Sequence, residues 1–261
     1  MEARATAVSI AKTASERDIT FLAAGFAYYA FVSLIPLALL AVVLGSLLGG
    51  EQAAEAVIAM VGDYLPEAGE AMVVATLTTE TGHFEATVVA LLVATWGSLK
   101  VFRGLSRAFN TVYGEHGSES LVQEVLEGLA VAVGITGALA LMVVAGVMIG
   151  VLPVEIPLAQ VVGWTVLVGG LFIAFVPIYY VLPPIRIPLR EALPGAVVAT
   201  LGWTVLQWGF QFYAANAGQY EAYGVIGAVL LFVTWLYFAG IIVMLGAVVN
   251  VVIARPEQAV T

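Results

Sequence analysis

Charges along this chain are sparse, and the gaps between them define its elements. Residues 19–50, 86–99, 128–154, 156–185, 192–220 and 222–254 carry none. A helix that spans a bilayer needs about 20 mainly apolar residues. Five of the gaps exceed that length. The sixth, 86–99, is bounded by Glu85 and Lys100, whose long side chains can snorkel to the interface. The pattern predicts six transmembrane helices, near 20–48, 84–102, 125–152, 160–182, 193–215 and 225–253. Residues 1–19 are expected to form a cytoplasmic segment ahead of a 20–254 membrane domain, and 255–261 a cytoplasmic tail. The expected fold is therefore an all-α integral membrane protein with short amphipathic helices at the interfaces.

Composition agrees with a lipid solvent. Of the 261 residues, 62% are hydrophobic and 10% charged, far from the balance of a soluble domain. All nine bases fall on one side of a six-span topology. Arg4, Lys12 and Arg17 precede span one, and Lys100, Arg103 and Arg107 follow span two. Arg186 and Arg190 join spans four and five, and Arg255 trails span six. The positive-inside rule then places both termini in the cytoplasm of a multi-pass plasma-membrane protein. The opposite side carries only acids, among them Glu51, Asp63, Glu67, Glu155 and Glu221. Two readings of that acidity stand side by side, ordinary solvation and a halophile-like composition.

The N-terminal residues read as a short surface helix with Val8, Ala11, Ala14 and Ser15 near one face. Ser15 and Asp18 resemble a capping box that opens span one. The apolar run of span one is too long for the core of a secretory signal peptide. Beyond span two, Arg103, Arg107 and Asn110 share a stripe opposite Phe102, Leu105, Phe109, Val112 and Tyr113. That is the pattern of an interfacial helix, serving as topology anchor or as a contact for anionic headgroups.

Catalytic sets are missing. There is no cysteine, and the two histidines, His83 and His116, have no metal-ligand spacing. No phosphate-binding Gly-rich loop followed by Lys occurs. The net charge of −9 disfavours nucleic acid as a partner. No catalytic residue, metal or cofactor is assigned. Membrane lipids are the expected partner, and a homo-oligomer is left open.

Uncharged polar residues inside the spans carry what chemistry there is. Tyr28, Tyr29 and Ser33 precede Pro36 in span one, where proline frees a backbone carbonyl that Ser33 or a neighbouring helix can satisfy. Span five brings Trp203, Gln207, Gln211 and Asn216, with Thr204, Gln207 and Gln211 on one stripe. Span six adds Trp235 and Asn250. One reading makes these residues interhelical glue, and the other makes them the lining of a polar cleft between spans one, five and six. Interfacial anchoring is the competing role for the aromatic residues near span ends. Gly45 with Gly49 and Gly146 with Gly150 suggest close helix packing.

These motifs resemble a known family. AAGFAYYAFVSLIPLALL (23–40), RGLSRAFNTVYG (103–114), LPGAVVATLGW (193–203), GFQFYAANAGQYEAYGVIGAVLLFVTWLY (209–237) and MLGAVVN (244–250) are similar to those of the YihY/BrkB membrane proteins. The resemblance covers nearly all of residues 20–252. It implies a six-span inner-membrane protein with transport or lipid handling as the activities in view. Its recurrent positions fall on Tyr28, Tyr29, Ser33, Pro36, Arg103, Asn110, Pro194, Gly195, Trp203, Asn216, Tyr220, Tyr223, Gly224, Trp235 and Asn250. The family often carries the label ribonuclease BN, yet this chain lacks the His-x-His-x-Asp-His cluster of tRNA-processing nucleases. Val248 and Val225 stand where many members have an acid and a serine, so a mechanism built on that carboxylate has no counterpart here. The function expected is a transporter or lipid flippase for a small amphiphile or neutral solute. The alternative is a non-transporting structural or envelope-assembly membrane protein.

Overall fold

The computed structural model describes residues 2–33, 100–114, 121–151, 156–216 and 224–254. Among these residues every regular element is a helix: α1 (Glu2–Glu16), α2 (Ile19–Ser33), α3 (residues 100–113), α4 (Leu121–Val151), α5 (Ile156–Val181), α6 (Leu189–Asn216) and α7 (Gly224–Ala254). The chain divides into two compact units. One comprises residues 1–27 and 104–261, and the other residues 28–103. Pro36, most of span two, Gly45, Gly49 and both histidines lie outside the described residues.

Three described helices are long and apolar enough to cross a membrane, through Val125–Met142, Val161–Val181 and Val229–Ala254. The fold is thus all-helical and that of a membrane protein. α6 has the length to span, with 28 residues, or about 42 Å at the helical rise. It is less apolar than those three because Thr200, Thr204, Gln207 and Gln211 interrupt it. α4, α5 and α6 each begin four residues before the expected span. Charges end an apolar run without ending a helix: Glu124 and Glu127 lie in the early turns of α4, and Glu191 lies in the first turn of α6, where acids favour the helix dipole. α5 stops where Pro183 and Pro184 cannot supply the next N–H groups. α6 restarts after Pro188, whose carbonyl accepts from Glu191 N at 2.9 Å.

Successive helices pack as neighbours, α4 on α5, α5 on α6 and α6 on α7, with α1 against α7. Close approach is set by glycines facing bulk. A Cβ on Gly134 of α4 would meet Pro177 of α5 at 2.5 Å, and one on Gly170 of α5 would overlap Met142 of α4. Gly202 of α6 faces Ile242 of α7 in the same way, and Gly240 of α7 faces Ala23 and Phe26 of α2. The contacts on α4–α5 and on α6–α7 run in opposite chain directions, as in antiparallel hairpins. Small-residue spacing marks where helices can approach, and only the partner's side chain decides where they do.

The C-terminal half of α7 is the centre. Met244, Ala247 and Val248 are fully buried there, with Tyr179, Phe109 and Leu182 from neighbouring elements. α3 contributes Phe109 and Val112 to this core, so this part of its apolar face is buried against protein. Gly114 ends α3 at φ 73°, the left-handed conformation that glycine adopts freely. The Arg17 guanidinium lies beside it, about 3.0 Å from where a Cβ on Gly114 would sit, and supplies positive charge at the C-terminal end of α3.

Two details of the N-terminal segment correct the sequence expectation. Val8 is 61% exposed, whereas Thr13 is buried and Thr6, Ser9 and Ile10 are partly so. The inward stripe of α1 mixes the hydroxyls of Thr6, Ser9 and Thr13 with Ile10 and Ala14. Ser15 does not cap α2. It belongs to the last turn of α1, where its carbonyl accepts from Asp18 N at 3.2 Å. Asp18 adopts φ 49°, which closes α1, and its own carbonyl accepts from Phe21 N and Leu22 N at 2.9 and 3.1 Å to open α2. Asp is among the few residues that tolerate this conformation.

Candidate functional site

The polar residues singled out in the spans separate into three groups. The first is an amide clamp. Asn250 of α7 accepts from Gly195 N of α6 through Oδ1 at 2.6 Å, and its Nδ2 donates to Ala192 O at 3.4 Å. Pro194 has no N–H, so the start of α6 has incomplete helical bonding, and the Asn250 amide engages the backbone on either side of it. The clamp requires backbone proximity: a Cβ on Gly195 would come within 2.6 Å of Gly246 O and of Asn250 Nδ2. Tyr179 of α5 completes the knot by donating from its hydroxyl to Val243 O at 2.9 Å. A Cβ on Gly246 would overlap that tyrosine oxygen. Asn250 and Gly195 were legible in the sequence. Tyr179 was not singled out, because a tyrosine near a span end reads as an interfacial anchor until its partner is known.

The second group is aromatic. Trp203 of α6 and Trp235 of α7 meet edge to face with centroids 5.1 Å apart. Phe175 of α5 packs on Trp203 at 5.7 Å, and Phe210 and Phe232 pack on Trp235 at 6.2 and 6.0 Å. Both tryptophans are half-buried members of a ring cluster that ties three helices together, and each such pair adds to simple burial.

The third group is exposed. Gln207 and Gln211 lie on an uncovered face of α6, beside Trp208 and Phe212, which are 72% and 74% exposed. Among the described residues neither glutamine amide has a hydrogen-bond partner. The third member of their stripe, Thr204, is occupied, since its hydroxyl donates to Thr200 O of its own helix at 2.8 Å. Ser33, Thr111, Thr165, Thr200 and Thr234 likewise donate to the carbonyl four residues earlier. This local bond is how hydroxyls become tolerable in hydrocarbon.

Asn250 is therefore not beside the glutamines. Its contact at Gly195 and Gln207 are twelve residues apart on α6, about 18 Å along the axis. Tyr28, Tyr29 and Ser33 belong to the 28–103 unit. There Tyr28 and Tyr29 form an edge-to-face pair at 5.5 Å, and the Ser33 hydroxyl donates to Tyr29 O at 2.7 Å. Asn216 is the last residue of α6. Of the expected headgroup contacts, Arg107 is exposed, Arg103 is half-buried, and Asn110 turns its Oδ1 into a buried position with no hydrogen-bond partner among the described residues. The described residues contain no group of three or more His, Cys, Asp or Glu placed to hold a metal ion.

Comparison with known proteins gives the family of this helical chain. The virulence factor BrkB family profile matches residues 10–260. The chain belongs to that family. It is 34% identical over 96 residues to the putative ribonuclease-like protein YfkH of Bacillus subtilis, a stretch covering 36% of this chain and 35% of that protein. It is 39% identical over 77 residues to a UPF0761 membrane protein of Xanthomonas campestris pv. campestris, covering 29% of this chain and 18% of that one. A UPF0761 membrane protein of Alkalilimnicola ehrlichii is 40% identical over 76 residues, covering 29% and 17%. The aligned stretches thus span about a third or less of these relatives. No solved structure matches.

Proposed function

We propose that this BrkB-family membrane protein is a transporter or lipid flippase that moves a small amphiphile or neutral solute, with Gln207 and Gln211 on its path. The observation that carries the reading is the pair of amides on the uncovered face of α6. An amide in hydrocarbon without a partner costs several kcal/mol, about 2–7 depending on the reference state. Two on one stripe point to contact with water or a polar substrate at that face. No charge accompanies them, so the path suits a zwitterionic headgroup or neutral solute better than a bare ion. The protein acts without catalysing a reaction on nucleic acid. Both termini lie in the cytoplasm, a placement that rests on the segregation of the nine bases.

The deciding experiment replaces both glutamines by leucine in protein reconstituted into vesicles. Loss of lipid scrambling or solute uptake, with an unchanged unfolding midpoint, supports a path. A lowered midpoint with full specific activity would make the glutamines packing groups and favour the non-transporting reading.

A further inference from the structure

α5 and α6 do not close on each other along their whole length. A groove of about 580 Å³ opens between them, with Trp164, Val168, Gly169 and Phe172 on one wall and Val197 and Leu201 on the other. Its α5 wall belongs to Val161–Val181, a stretch long and apolar enough to cross a membrane, and a groove on such a stretch opens toward hydrocarbon. Its two hydroxyls are already spent: Thr165 donates to Val161 O and Thr200 to Ala196 O, both at 2.8 Å. Polar atoms in the groove are then few, the Trp164 indole N–H among them, and its lining of Val168, Phe172, Val197 and Leu201 matches an uncharged chain. Its volume is that of a small-molecule site, roughly 300–1,000 Å³. Gly169 leaves open space on the α5 wall, since a Cβ there would touch nothing within 4 Å.

Charge appears at one end. Arg190 stands seven residues before Val197 and eleven before Leu201, a spacing that puts all three on one face of α6. The guanidinium side chain starts about 10 Å along the axis from the groove wall. Arg190 is exposed and has no ion-pair partner among the described residues. A basic residue at the membrane edge beside an interhelical groove is suited to an anionic headgroup.

We infer that the α5–α6 groove is a binding site for an anionic phospholipid, one acyl chain lying between Phe172 and Leu201 and the phosphate pairing with Arg190. The inference is argued from the groove and Arg190 alone, and stands or falls without the path proposed at Gln207.

The test measures lipid retained by the purified, delipidated full chain after titration with phosphatidylglycerol or phosphatidylcholine bearing the same oleoyl chains. The expected result is a saturable site that prefers phosphatidylglycerol by about fivefold, the share of one arginine at a membrane surface. Arg190→Gln should bring that preference close to unity while leaving phosphatidylcholine retention unchanged. Gly169→Leu, which fills the groove from α5, should reduce retention of both lipids. Leu201→Trp fills it from α6 and gives the same reading should the first variant fold poorly. Glycerophosphoglycerol and inorganic phosphate, which lack the chain, should fail to compete. Full retention in both groove-filled variants would overturn the inference. So would equal competition by inorganic phosphate, which would make Arg190 a plain anion site, or a lipid preference indifferent to Arg190→Gln.

Discussion

The two ends of the α6–α7 pair solve opposite problems. At the end containing Gly195 and Asn250, backbones touch, every side chain of α7 from Val248 to Val252 is buried, and the polar groups are bonded across helices. At the end containing Gln207 and Phe212, the helices are joined mainly by rings, Gly209 has nothing within reach of a Cβ, and two amides stand exposed without a partner among the described residues. Lipid supplies no hydrophobic drive for helices to associate, so packing and hydrogen bonds must hold a membrane bundle together. The first end does that. The second end leaves polar groups where a membrane protein rarely leaves them without use.

Substitutions should separate the two ends, and the largest effect belongs to the closed one. Gly195→Val places side-chain atoms against Gly246 O and Asn250 and should destabilise by about 1–3 kcal/mol or more, read as a lower unfolding midpoint in detergent. Asn250→Leu should cost about 1–2 kcal/mol, because it leaves Gly195 N–H buried without its acceptor. Tyr179→Phe removes one bond to Val243 O and should cost about 0.6 kcal/mol, the average for such bonds in membranes. Gln207→Leu with Gln211→Leu should change stability by no more than about 0.5 kcal/mol in either direction. A double variant as damaging as Asn250→Leu would erase the distinction between the ends.

The sequence made much of this legible, and its gaps have physical causes. Charge-free runs located α4 to α7 because exclusion from lipid acts on every residue of a span. They misjudged helix starts, since Glu124, Arg190 and Glu191 are compatible with a helix that extends beyond the apolar run. Asn250 was marked as notable without its partner, for a hydrogen bond across 55 residues of chain depends on register that no local pattern encodes. Trp203 and Trp235 stood among candidates for a cleft, and their packing on each other was not legible, because aromatic residues suit both surroundings equally. The α5–α6 groove was invisible, being a space left between helices and not a property of either.

The central claim is that the Gln207 end is wet and the Asn250 end is dry. The chain contains no cysteine, so single substitutions report directly. With the protein in lipid vesicles, Gln207→Cys and Gln211→Cys should react with a membrane-impermeant, water-soluble thiol reagent, and Ala247→Cys, beside the clamp, should not. Unreactive cysteines at both glutamine positions, or equal reaction at Ala247→Cys, would contradict the account.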